Sequence, residues 1–149
     1  MLLKMVPEAV TAAWPEIKMH VQRALPEKEQ DEKVMSKLLE MLLMERAQCW
    51  VSYDTQNDRK ANFIGVTIPL YDETTGSKNL LLYNVTNSDQ LDLKTSNRMW
   101  LEGLEALTKY MKANGFVKLV SYFNDENNRS LRLSKRLGAT VKYYVELEV

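Results

Sequence analysis

At 149 residues, with 45% hydrophobic and 27% charged side chains, the sequence has the composition of a soluble globular protein of one domain, spanning residues 1–149. Twenty Lys and Arg balance twenty Asp and Glu, so no basic excess supports a broad nucleic-acid surface. A single cysteine (Cys49) and a single histidine (His20) rule out an internal disulfide and argue against a zinc site, leaving no metal expected. No apolar run approaches the roughly 20 residues that span a bilayer. The opening MLLKMV is too short for a signal peptide, so the expected location is the cytoplasm and no membrane partner is expected.

In chain order, Leu2 to Val6 reads as a short strand, and Pro7 suits the first turn of a helix. Val10, Trp14, Ile17 and Val21 have helical spacing, and Pro15 predicts a kink or two short helices meeting near Trp14. PEKEQDEK is a polar connection without expected structure. Lys33 to Arg46 then reads as a second helix, with Val34, Leu38, Met41 or Leu42, and Glu45 along one stripe. Its Met and Leu content suits core packing, or alternatively a partner-binding face.

The period then changes to two. AQCWVSYD, ANFIGVTIPL and NLLLYNVTN read as three strands joined by the turns TQNDRK and YDETTGSK, which predicts an antiparallel meander. A long helix follows from Arg98, with Trp100, Leu104, Leu107 and Met111 as its apolar stripe and Gly115 as its stop. FVKLVSYF, Phe116 to Phe123, is apolar enough for a strand buried on both faces. An asparagine-rich turn, a basic helix, Gly138 and the closing strand ATVKYYVELEV complete the chain. Arg129, Arg132 and Arg136 share one face of that basic helix, and the helix dipole accounts for cations near its end without any ligand.

This order of elements, with Asn127-Asn128-Arg129-Ser130-Leu131-Arg132-Leu133-Ser134-Lys135-Arg136-Leu137-Gly138, resembles the GNAT N-acetyltransferase superfamily. AAWPEIKMHVQRAL followed by ERAQCWVSYD is also similar to the opening of small GNAT-like proteins encoded by bacteriophages. The resemblance implies an α/β (α+β) fold: a mixed central sheet of about six strands with helices on both faces. The order would be strand, two helices, three strands, helix, strand, helix, strand. It also implies acetyl-CoA in a wedge between the fourth strand (Asn79–Thr86, with Val85 and Thr86 at its end) and the fifth (Phe116–Phe123). Asn127 would orient the coenzyme, and Arg129 or Arg132 would meet a phosphate.

Two positions depart from the family's pattern. Counting back from Gly115 puts the glycine-rich pyrophosphate loop at Thr95–Trp100, where Arg98 and Trp100 occupy the glycine positions. Arg98 offers a charge contact in exchange. The tyrosine that protonates the departing thiolate in many members is replaced by Ser134, which leaves Tyr143 and Tyr144, with Tyr122, as substitute candidates. Asp72, Glu73 and Asp89 are candidate bases, although acidic turn residues are usually solvated. His20 has no recognisable partner, and Cys49 reads as a buried, inert thiol.

Two functional readings follow. One is an N-acetyltransferase-like protein joining acyl-CoA to an amine acceptor. The other is a non-catalytic GNAT-fold phage protein, in the host cytoplasm or the virion, that binds a phage or host protein or a second copy of itself. Nucleic-acid binding through the basic helix has only local charge in its favour.

Overall fold

The computed structural model describes residues 2–53, 61–87, 92–123 and 128–149. Strand β1 (Leu2–Lys4) leads to helix α1 (Pro7–Ala24), a 3-10 turn (Glu27–Glu29) and helix α2 (Glu32–Leu43). Strands β2 (Gln48–Tyr53), β3 (Ala61–Asp72) and β4 (Ser77–Asn87) follow, then helix α3 (Leu93–Asn114), strand β5 (Lys118–Val120) and helix α4 (Arg129–Arg136). The sheet order is β1-β2-β3-β4-β5, antiparallel at every junction except the last, where β4 and β5 run parallel. This is a GNAT-like fold.

Each face of the sheet has its own core. Val10, Ile17 and Val21 of α1, with Met35, Leu38 and Leu42 of α2, pack on Cys49, Val51, Ile64 and Val66. On the other face, Leu107 and Met111 of α3, with Phe116, pack on Trp50, Leu80 and Leu82. The alternation of Cys49, Trp50 and Val51 between the two clusters is the period-two pattern of a strand covered on both sides. Burying Trp50 also buries its indole N–H, which donates to Thr67 Oγ1 at 2.9 Å; that hydroxyl donates in turn to Gln48 Oε1 at 3.0 Å. The network gives the buried indole and hydroxyl of Trp50 and Thr67 their partners.

Several expectations change here. Pro15 does not divide the first helix, which runs unbroken from Pro7 to Ala24. Burial of Ile17 and Val21 beyond the proline outweighs the hydrogen bond it cannot donate. The polar connection PEKEQDEK is structured, with a 3-10 turn and then Asp31 capping α2 by accepting from the Val34 amide at 2.9 Å. Glu45 is not part of the helical stripe: it lies past the end of α2 with φ 58°, and the Arg46 amide donates back to the Met41 carbonyl at 2.8 Å.

Helix α3 starts at Leu93, five residues before the sequence-based start at Arg98, while Gly115 ends it as expected in the left-handed region at φ 75°. The fifth strand is not buried on both faces, since Lys118 is exposed and Leu119 and Val120 are only half-buried. Among the described residues the sheet has five strands, and residues 139–149 form no ladder with it.

Candidate functional site

The β4–β5 ladder is three pairs long: Asn79 with Lys118, Leu80 with Leu119 and Leu81 with Val120. Strand β4 then continues to Asn87 while β5 ends. At the branch point the Ser121 hydroxyl donates to the Leu82 carbonyl at 3.1 Å. Beyond it, the β5-facing edge of β4 has no strand partner among the described residues.

A bulge in β4 explains the divergence. Val66 pairs with Asn84 but the next residue, Thr67, pairs with Leu82, so Tyr83 is an extra residue. Two consecutive side chains therefore face α1. Tyr83 packs against the α1–α2 cluster, and Asn84 Nδ2 donates to the Val21 carbonyl at 3.1 Å. That carbonyl belongs to the last turn of α1, where helical partners run out. The added residue bends β4 and increases its twist immediately after the last β4–β5 pair. Asn84 is 5% exposed, and its Oδ1 has no partner. Burial, and then the nearby Glu29 carboxylate, raise the Tyr83 hydroxyl pKa.

Five residues after the end of β4 comes the cap of α3. Asp92 Oδ1 accepts from the Thr95 amide at 2.7 Å. That bond, helped by Arg98, holds the Asp92 carboxyl below its usual range. The helix start is thus met by an anion from the chain itself. It is also tied to α4, because Arg129 Nη2 donates to the Leu93 carbonyl at 2.9 Å and to Asn97 Oδ1 at 2.6 Å.

The sequence-predicted residues distribute as follows. Val85 and Thr86 lie half-buried on the part of β4 that has parted from β5. Arg129 reaches the start of α3, as just described. Arg98 is exposed on α3, 3.9 Å from Glu102, and Arg132 is exposed on α4. The expected pyrophosphate loop, Thr95–Trp100, is a correction: these residues form the first turns of α3, and no loop lies there. Asn127 and Asp89 fall outside the described residues. Asn128, next to Asn127, caps α4 by accepting from the Ser130 and Leu131 amides.

Ser134 donates its hydroxyl to the Ser130 carbonyl at 2.8 Å, within α4. Tyr143 is exposed. Tyr144 is exposed as well, with its ring 5.6 Å from that of Tyr122 and its hydroxyl donating to Glu146 at 3.2 Å. The Glu146 charge raises the Tyr144 pKa.

Asp72 caps the β3–β4 turn through Thr74 and Thr75, at the opposite end of β4 from the opening, and Glu73 is exposed in the same turn. His20 sits 4.0 Å from Glu16 on α1. Among the described residues no group of three or more His, Cys, Asp or Glu is placed to hold a metal ion. No helix among them is long and apolar enough to cross a membrane.

Sequence reasoning missed Asn84, Ser121 and Asp92. The first two give no local signal, since a bulge and a branch point depend on neighbouring strands. Asp92 was legible, as Asp is a favoured residue type immediately ahead of a helix.

No protein-family model matches this sequence, and none of the curated proteins searched matches it. Solved structures do. One is a ribosomal-protein-alanine N-acetyltransferase from Brucella melitensis biovar Abortus 2308, at 11% identity and TM-score 0.68, covering 100% of this chain and 99% of that one. A putative acetyl transferase from Pyrococcus furiosus gives 13% identity and TM-score 0.69, covering 100% and 98%. An aminoglycoside acetyltransferase from an uncultured soil metagenomic sample gives 9% identity and TM-score 0.66, covering 99% and 96%. At these identities the likeness is one of fold.

Proposed function

We propose that this chain is an N-acetyltransferase-type protein that takes an acyl-coenzyme A thioester into the opening between β4 and β5 and passes the acyl group to an amine. The observation carrying this reading is the parting of two parallel strands after the Leu81–Val120 pair. The structural neighbours named as acetyltransferases lend it support.

The fit differs along the coenzyme. An open strand edge suits the amide-bearing pantetheine arm, because extended amides pair with unpaired strand N–H and C=O groups. Residues 83–87 of β4, including Val85 and Thr86, would hold that arm. The phosphate end fits less well. Asp92 already neutralises the α3 start, and no glycine occurs between Gly76 and Gly103 to let a backbone approach a pyrophosphate. Arg98 and Arg132 are the exposed cations assigned to that end, with Asn127 assigned to orient the coenzyme.

When bound, the thioester supplies an activated acyl group for direct attack by the amine. The chain's own part is to orient the acceptor and hold a proton for the departing sulfur. Tyr143, Tyr144 and Ser134 are the candidates for the proton. Ser134 is engaged with its own helix and Tyr144 with Glu146.

Calorimetry with acetyl-CoA tests the reading. Binding is expected, weakened by Asn127→Ala. It is expected to strengthen about two- to fivefold in Asp92→Asn, which removes a negative charge at the helix start. Absence of heat and of thermal stabilisation at millimolar ligand would reject the donor site. That outcome would favour the second reading, a non-catalytic GNAT-fold phage protein acting in virion assembly or protein binding. The self-capped α3 start is the observation in its favour.

A further inference from the structure

Helix α4 carries four cations in eight residues, Arg129, Arg132, Lys135 and Arg136, and no carboxylate, on a chain of zero net charge. Every other described helix mixes the two signs. Cations on α1, α2 and α3 meet carboxylates, as Lys18 does with Glu32, Lys37 with Glu40 and Lys109 with Glu105. Arg132, Lys135 and Arg136 are exposed and meet none among the described residues. The helix dipole accounts for Lys135 and Arg136 in the last turn, but it gives nothing to Arg132. Spacing of three and four sets these three cations on one face, while Leu131 and Leu133 are half-buried.

The fold puts this face at one end of the β4–β5 opening. Helix α3 follows β4 and α4 follows β5, so their starts lie beyond the two strand ends that part. Arg129 joins those starts through the Leu93 carbonyl and Asn97 Oδ1. The far end of a thioester donor would emerge there. It would meet a helix start already capped by Asp92, a backbone without glycine, and exposed cations alongside. A pantetheine arm that ends in a single phosphodiester on a protein needs no pyrophosphate cradle. It does need a surface for that protein.

Taking the opening as a thioester site, the reading on which this inference rests, we infer that the donor arrives as acyl-phosphopantetheine on an acidic carrier protein docked on the cationic face of α4. The amine nitrogen attacks the thioester carbonyl, a C–N bond forms and the C–S bond breaks. The amine proton passes to the sulfur, and the carrier leaves with its arm as a free thiol. Arm and carrier are two linked contacts, so the loaded carrier binds more tightly than either contact alone. The charge contact is exposed, which makes the association sensitive to salt.

Calorimetry at low salt tests this with four probes: an acetyl-loaded acyl carrier protein, the same protein without its arm, acetyl-CoA and a duplex RNA. The loaded carrier should bind at least about tenfold more tightly than acetyl-CoA, and high salt should erode the difference. Lys135→Gln with Arg136→Gln should weaken carrier binding about three- to tenfold and leave acetyl-CoA binding unchanged. Changing the carboxylates beside the carrier's own phosphopantetheine serine to amides should give the same loss with this chain untouched. Acetyl-CoA binding as tightly as the loaded carrier overturns the inference and leaves the thioester site standing. Tighter binding of the RNA, or equal binding of the carrier with and without its arm, also overturns it. If neither thioester binds, the site itself fails and the inference with it.

Discussion

Cys49 and Asn84 lie on opposite sides of β3 in the sheet, and in each case burial decides the chemistry. Burial pushes the Cys49 thiol up to about 12 from 9.0. The unfolded chain therefore releases this proton at lower pH than the folded one. Between those two values the folded state binds more protons, so stability falls as pH rises. Urea titrations from pH 8 to 11 should show this loss, and Cys49→Ala should flatten it. The thiol should also resist alkylation until the chain unfolds. Asn84 illustrates a residue whose sequence neighbourhood, LLYNVTN, suggests only a strand. Its contact with Val21, distant in sequence, is what ties the β4 bulge to the end of α1. Asn84→Ala would leave the Val21 carbonyl unpaired and should cost about 1–3 kcal/mol in denaturant unfolding.

The helices and the first five strands were legible from period and from turn residues, whereas several of their ends, and the expected closing strand, were not. Helix α1 was expected to break at Pro15, yet the apolar stripe on either side holds it together. Position 15 is exposed, so Pro15→Ala restores a hydrogen bond without disturbing the core. The substitution should stabilise the protein by up to about 3 kcal/mol and raise Tm. The misplaced start of α3 had a larger effect on the site. The Asp92 cap sets the start of α3 at Leu93, so the segment that the spacing from Gly115 predicts as a loop forms helical turns. Caps precede the apolar stripe and are hidden from a search for periodicity alone. The fifth strand erred in the other direction, since FVKLVSYF looks doubly buried but keeps only Lys118–Val120 in the ladder.

Across the whole molecule, packing is uneven. Strands β2 and β3 are buried between two clusters, while α4 has no buried residue and residues 139–149 are exposed throughout. Hydrogen exchange should be slowest in β2 and β3 and fastest at residues 140–149. The β4–β5 opening was legible in outline, because the resemblance named the two strands that part. Its details depend on a bulge, a branch-point serine and a capping carboxylate brought together by the fold, and no single segment announces them. The carboxylate has a further implication for donor choice. A helix start that supplies its own counterion has little left to offer a nucleotide, so the adenosine diphosphate portion of a thioester would add little grip. Comparing acetyl-CoA with acetyl-pantetheine should therefore show a small difference for this chain. In Asp92→Asn, with that counterion gone, the full-length donor should draw ahead.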